Sequence, residues 1–342
     1  MRNINSKDRS KYYIVNKNGS RIMKKILLFI FIIPLVFTET LFCEENTYLT
    51  IGSGDITGLY YLTGGAIAHI VNSRSTETGL RLNVQSTSGS VYNIENVISG
   101  TIELGIVQSD RLYQAFNGTK KWLGNAKQQL RAVFGIHTEA VTVIASENSN
   151  ITCIAHLKAR RVNLGHPDSG QHQNAIDALE NLGINYQNDI NPSGHEDYKV
   201  PELLNKNQLD AAFITAGHPT DFFNAICSGK TKVRFIPIIH LNPILKKFPY
   251  YLETSIPVSV YPYQKNQPDV KTFGVKSILM TSEKINERAI YIITKEIFTK
   301  IQQLKKYHPA YVNLSPHYMI EGLTAPIHPG ALKYYKEAKL LK

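Results

Sequence analysis

One succession occurs twice in the chain and narrows what it can fold into: a short apolar run, a turn of small residues, then apolar residues at helical spacing. It first occurs as Tyr48-Leu49-Thr50-Ile51-Gly52, the loop Ser53-Gly54-Asp55-Ile56-Thr57-Gly58, and Leu62, Ala66, Ile67, Ile70 and Val71. It returns as Val162-Asn163-Leu164-Gly165, the turn Asp168-Ser169-Gly170-Gln171, and Ala175, Ile176, Ala178, Leu179 and Leu182, with Gly183 in the place of a helix C-cap. Between the copies, Leu80 to Val84 alternates as a strand, Ser86 to Ser90 is a hydroxyl-rich turn, and Val91, Ile94 and Ile98 mark a helix ending near Gly100. Leu104-Gly105-Ile106-Val107 and Ala211-Ala212-Phe213-Ile214-Thr215 read as buried strands. Strands alternating with helices predict an α/β fold with a largely parallel sheet. The duplication predicts two similar lobes.

No Pro/Gly/Ser-rich linker separates the copies, so strand-like crossovers are expected, near Glu139-Ala140 and Ser255-Ile256-Pro257. That gives lobe I as residues 44–139 plus 256–342 and lobe II as 140–255. Ile290, Ile293, Ile297, Ile301 and Leu304 form a helical stripe that is core packing.

The net charge of +11 over 342 residues suggests a polyanion partner until it is located. Residues 1–43 hold 8 Lys+Arg against 2 Asp+Glu, leaving 30 against 25 in the rest, a surplus of 5. With no dense basic run and no aromatic-basic motif, a nucleic-acid partner is not expected. The early charge belongs to an address: Met23-Lys24-Lys25, the apolar block Ile26 to Phe37 broken by Pro34, and then Thr38 to Cys43 before Glu44-Glu45. This is the pattern of a secretory signal peptide cleaved after Cys43, and it is too short for a membrane anchor. Residues 1–22 are a polar upstream extension. Export leaves Cys153 and Cys227, which form one disulfide or remain two buried thiols.

Reaction chemistry finds no carrier. The third glycine of the first loop, Gly58, comes one position late for a dinucleotide fingerprint, and no acidic residue follows at the required distance. Ser228-Gly229-Lys230-Thr231 imitates the end of a P-loop but has Asn224 where the motif needs Gly. His166 and His172 are six apart with no carboxylate cluster, so no metal or cofactor is expected. Neither Ser90 nor Ser169 sits in a Gly-x-Ser-x-Gly elbow. A non-enzymatic protein follows. What remains is binding: Gly54 to Tyr61, Ser86 to Ser90 and Asp168 to His172 open helices, where free N–H groups and the positive helix end attract carboxylate or phosphate. Each alone is an ordinary N-cap; together, at strand-to-helix edges, they form a candidate anion cleft.

These residues resemble the TAXI family of TRAP-transporter solute receptors. The resemblance runs through Ile51 to Gly54, Gly58-Leu59-Tyr60-Tyr61, Thr87 to Asn93, and Gly105-Ile106-Val107-Gln108-Ser109-Asp110. It continues in His156 to Val162, Pro167 to Gly170, Leu209 to Phe213, Gly217-His218-Pro219-Thr220, and finally Gly322 to Tyr335. It implies a two-lobed periplasmic-binding-protein fold, type II-like, with a ligand cleft between lobes that close by a hinge. It also implies a periplasmic receptor that hands an anionic or zwitterionic small molecule, of the glutamate, glutamine or dicarboxylate class, to TRAP transporter membrane subunits. A secreted surface or sensor protein reusing the fold is the alternative.

Carried over by position, the resemblance puts Thr57, Tyr61, Ser88 and Ser90 at one end of the ligand and Gln108 at the end of its strand. Ser169, Gly170 and Gln171 would receive a carboxylate, with Thr215 and Gly217 closing the far side. Two departures are Asp168, where Gly is usual, and Gln171, where Thr is common. The former would set a carboxylate beside the anion turn. The Pro326 to Tyr335 stretch is expected to be structural.

Overall fold

The computed structural model describes residues 47–264 and 268–341; the signal-peptide assignment lies outside the described residues. The strands are β1 (Thr47–Gly52), β2 (Leu80–Gln85), β3 (Leu104–Gln108), β4 (Leu130–Ser146), β5 (Arg161–Asn163), β6 (Asn191–Ser193), β7 (Ala211–Ala216), β8 (Val233–Ile236), β9 (Leu252–Ile256) and β10 (Val270–Ser282). The principal helices are α1 (Leu59–Asn72), α2 (Ser90–Ser99), α3 (Ser109–Asn117), α4 (Gly170–Asn181), α5 (Asp221–Cys227), α6 (Glu287–Thr299) and α7 (Pro329–Glu337).

The strands share one sheet in the order β2-β1-β3-β10-β4-β7-β5-β6, with β8 added to β4 and β9 to β10. β1 pairs in parallel with β2 and β3, and β5 with β6 and β7. The sheet is nevertheless mixed, not largely parallel. β10 runs antiparallel to β3, β4 and β9, and β4 runs antiparallel to β7 and β8. The cause is a pair of long central strands. β4 spans 17 residues and β10 spans 13, and they lie side by side with Gly274 opposite Ala140 and Ser282 opposite Leu130. One strand carries the chain across the sheet and the other brings it back. Glu139 and Ala140 therefore fall inside β4, as the crossover reading required. Ser255 and Ile256 instead end the short strand β9, and β10 is the second long strand.

Apolar side chains cover both sheet faces. Around β1 and β3, the α1 and α6 stripes pack with Phe134 and Tyr335, while α2 and α3 bury Val91, Ile94, Leu112 and Trp122 on the other face. Around β5 and β7, α4 packs Ala175, Ala178 and Leu179 against Phe213 and Phe273, and α5 buries Phe223 and Ile226 opposite. Burying an aliphatic side chain of this kind contributes roughly 1.5–3 kcal/mol. Leu62 departs from the expected α1 stripe: it is exposed, and Leu59 and Thr63 complete the buried face. Both α2 and α3 end on left-handed glycines, Gly100 and Gly118, as the C-cap reading expects for Gly100.

The terminal motif ties the chain end to β4. Pro326 and His328 exchange backbone hydrogen bonds with Ala132, buried His328 caps α7 by accepting from Gly330 N at 3.1 Å, and Tyr335 Oη donates to the Val133 carbonyl. Cys153 and Cys227 are both free, the second buried. No helix among the described residues is long and apolar enough to cross a membrane.

Candidate functional site

The carboxyl ends of β1, β2, β3, β5, β6 and β7 and the middle of β4 open on one cleft, where ligands of open α/β sheets sit. Its inner volume of about 130 Å³ is the scale of a single small solute. The β2–α2 turn contributes Thr87, Ser88, Gly89 and Ser90, and β3 contributes Gln108. From the β5–α4 turn come His166, Ser169, Gly170 and Gln171, and from the end of β7 come Thr215 and Ala216.

Three helices open at this space: α1 after Gly58, α2 after Gly89 and α4 after Ser169. Gly89, at φ 105°, turns the chain into α2, a backbone angle that favours glycine. The hydroxyl of Ser90 accepts from Gln108 N at 3.0 Å, which locks the start of α2 to the end of β3. At α4, Ser169 is the N-cap and accepts from His172 N at 3.2 Å, while its own hydroxyl donates to the His166 carbonyl at 2.6 Å. Capping leaves the leading amides of α4 facing the cleft. Gly170 packs against Gln108: a Cβ there would lie 2.1 Å from Gln108 Oε1.

Carboxyl groups occupy the rest. Glu139, 2% exposed, accepts from Tyr60 Oη at 3.2 Å and from Gln108 Nε2 at 3.3 Å. Burial, reinforced by the charge of Asp110, pushes its pKa up to about 8 despite those two donors. His137 Nδ1 lies 3.8 Å from it, but burial lowers that imidazole to about 3, so the ring is neutral and neutralises nothing. Asp197 accepts from Gln171 Nε2 at 2.8 Å and is raised to about 7, first by desolvation and then by Asp55 and Glu196. Gln171 Oε1 in turn accepts from Thr215 N at 2.9 Å. Gln108 Oε1 is buried with no hydrogen-bond partner.

Of the ten residues named from sequence, Ser88, Ser90, Gln108, Ser169, Gly170, Gln171 and Thr215 meet in this cleft. Three do not line it. Thr57 turns back on Asp55, donating to Oδ1 from N at 2.8 Å and from Oγ1 at 2.6 Å, and lines a separate cavity with Pro219 and His308. Tyr61 lies one position out of phase on α1, and Tyr60 takes its place. Gly217 sits behind the wall, where a Cβ would lie 2.7 Å from Leu59 Cδ2 and 2.9 Å from His137 Nδ1.

Sequence reasoning missed Tyr60, Glu139, Asp55, Glu196 and Asp197. For Tyr60 a signal existed, since Tyr61 shares its helical face with exposed Gly65 and His69. For Glu139 the signal was a lone carboxylate in a buried apolar strand. The worry over Asp168 dissolves: its side chain reaches Lys121 Nζ at 3.4 Å, away from the cleft. His166 and His172 do not converge. His172 Nδ1 contacts the Gly165 carbonyl at 2.9 Å, and no group of three or more His, Cys, Asp or Glu among the described residues is placed to hold a metal ion.

Behind Thr215 a buried polar chain crosses the molecule. Thr215 Oγ1 donates to Asn174 Oδ1 at 3.1 Å, and Asn174 Nδ2 donates to Asp110 Oδ2 at 2.6 Å. Asp110 also pairs with Arg111 at 3.0 Å, both fully buried.

With this geometry, comparison with known proteins is informative. The model of the NMT1-like family matches residues 51–338. This chain belongs to the NMT1-like family. Solved structures share the fold of this NMT1-like chain. A protein of Bordetella bronchiseptica RB50 matches with a TM-score of 0.53 at 13% identity, over 85% of this chain and 98% of that one. The periplasmic binding protein BugD matches with a TM-score of 0.51 at 11% identity, over 86% and 94%. The alkanesulfonate-binding protein SsuA of Xanthomonas axonopodis pv. citri, bound to MOPS, is similar at 14% identity over 77% and 79%, with a TM-score of 0.46. The fold is the mixed α/β architecture of type II periplasmic binding proteins.

Proposed function

We propose that this chain is a non-enzymatic extracytoplasmic solute-binding receptor. It captures one small amino acid or carboxylate in the cleft by closure of two lobes and delivers it to a TRAP-type secondary transporter, as the TAXI resemblance implies. The observation that carries the reading is the meeting of the α2 and α4 N-termini around Gln108, a buried side chain whose Oε1 has no partner within the protein. A buried acceptor left unpaired costs about 1–3 kcal/mol, and a solute that donates to it recovers that energy on binding. A carboxylate of the same solute is received by the amides of Gly170 and Gln171 and by Ser88, at helix ends that each carry about half a positive charge.

The lobes divide within β4 and β10, where Ala140 faces Gly274, so the second boundary falls in β10 and not at residue 256, and these are the strands that flex between them. The solute enters while the α4 turn stands away from Gln108, and the Gly170–Gln108 contact forms as the lobes shut.

The test is a thermal-shift screen of protein from Glu44 onward against the protein amino acids and C4 to C6 dicarboxylates, because a solute that binds only the folded state raises Tm. A saturable shift with one solute, accompanied by a smaller radius of gyration in solution scattering, is the expected result. No shift with any solute would refute the receptor reading and favour a surface or sensor role for the fold.

A further inference from the structure

The cleft is built to receive positive charge as well as a carboxylate. Asp55, Glu139, Glu196 and Asp197 line it, and no Lys or Arg does. Nearby cations are engaged elsewhere: Arg111 pairs with Asp110, Lys121 with Asp168, and Lys276 Nζ donates to the carbonyls of Tyr318 and Glu321 at 2.8 and 2.7 Å. A carboxylate cluster alone would say little. Here the Gln108 side chain, which lines the same cleft and is 4% exposed, independently leaves its acceptor oxygen unpartnered beside Gly170. His166 also lines the cleft and lies 3.8 Å from Glu196, which leaves the carboxyls of Glu139 and Asp197 beside the unpartnered Gln108 oxygen to describe a ligand rich in N–H groups. A dicarboxylate fits less well than a solute with one carboxylate and an N–H-rich group, since four carboxyl side chains and no Lys or Arg line the cleft.

We propose that the solute is a basic amino acid, its cationic side chain or ammonium received by Glu139, Asp197 and the Gln108 carbonyl oxygen and its carboxylate held at the α4 N-terminus. The inference rests on the receptor reading and specifies its substrate class. The raised pKa of Glu139 and of Asp197 bears on it in one way: burial holds protons on both near neutral pH and a bound cation would release them, so binding should tighten as pH rises through 7 to 8.

The experiment is isothermal titration of the protein from Glu44 onward with L-arginine, L-lysine, L-glutamine, L-glutamate and succinate at pH 7.5. Binding of L-arginine or L-lysine, at least tenfold tighter than the other three, is expected. It should weaken at least tenfold in Glu139→Gln and in Asp197→Asn; the latter changes a partly exposed residue, so that misfolding of the buried variant would not obscure the result. Equal or tighter binding of L-glutamate, L-glutamine or succinate would overturn the cationic class while leaving the receptor reading intact. No heat with any of the five, with a solute outside this set found by the wider screen, would likewise overturn the class alone. Silence in both experiments would overturn both. Unchanged L-arginine affinity in both variants would overturn the assignment of the acidic groups.

Discussion

Gly170→Ala tests whether the contact between α4 and Gln108 belongs to the ligand-bound state. The new methyl carbon would lie 2.1 Å from Gln108 Oε1, 2.5 Å from its Cδ and 3.1 Å from Ser90 Oγ. Either the amide swings away and loses its 3.3 Å bond to Glu139, or the start of α4 backs off from α2. Overpacking or a lost buried hydrogen bond costs about 1–3 kcal/mol. Gly170 lies on one side of the cleft and Gln108 and Ser90 on the other, so an open form relieves the clash and the cost falls on the closed form. Solute affinity should therefore drop roughly 5- to 150-fold, while the melting temperature without solute changes little. Titration calorimetry with the solute found in the screen, alongside melts with and without it, separates the two effects. Gly65→Ala is the control: a Cβ there meets nothing within 4 Å. Affinity within twofold of the unaltered protein would refute the reasoning, and so would an equal loss of stability with and without solute.

Stability should form a plateau in pH. Glu139 and Asp197 rise from ordinary values of 4.5 and 3.8 to about 8 and about 7, so the folded state holds protons that the unfolded chain has lost, and their contribution falls as pH rises through that range. His137 and His218 are lowered from 6.5 to about 3 by burial, so theirs falls as pH drops below 6.5. The two trends oppose between 4.5 and 6.5. Tm should change least there and decline on both sides, with His308 and His328, also lowered by burial, adding to the acid decline; Glu139→Gln should soften the alkaline decline and make Tm rise with pH across 4.5 to 6.5. The groups facing Glu139 are Tyr60 on α1, Gln108 on β3, His137 on its own strand and Asp110 on α3; those facing Asp197 are Gln171, Asp55 and Glu196. A Tm that climbs steadily from pH 6.5 to 8 would contradict this balance. Asp110→Ala should cost about 3–5 kcal/mol in urea unfolding, because it strands the buried Arg111 guanidinium and frees Asn174 Nδ2; a loss below about 1 kcal/mol would show that the pair is hydrated.

The turns were legible because their chemistry is local. Gly and Ser after an apolar run, followed by a helical stripe, fix a strand, a cap and a helix, and this placed Ser88, Ser90, Ser169, Gly170 and Gln171 at the cleft. Gln108 and Thr215 came from the family resemblance, and the structure puts both at or near the ends of short buried strands. Leu62 failed because helical phase was read from the most apolar residues, whereas Leu59 and Thr63 set the buried face; Tyr61, carried over from the resemblance, is one position out of phase with Tyr60, which lines the cleft. Thr57 failed because Asp55 competes for its hydrogen bonds within the loop. Strand direction was not legible: β4 and β10 are buried along almost their whole length, and a buried antiparallel strand between covered faces has the same pattern as a parallel one.

The cleft divides its recognition between two kinds of group, and the division bears on how such a site changes. The features that attract a carboxylate are made by the backbone, the opening amides of α2 and α4, and recur wherever a strand turns into a helix. They require little beyond a small residue at Gly89 or Gly170, so they set how closely the two sides approach and hence how tightly any solute is held. The features that attract an N–H-rich group are side chains on β4 and after β6, Glu139 and Asp197, joined to the turns by Gln108 and Gln171. Each is a single position whose replacement leaves strands and caps intact while reversing the charge preference of the floor. On the proposed reading affinity and specificity rest on different residues of the same cavity, and substitutions at Gly170 and at Glu139 should alter them separately.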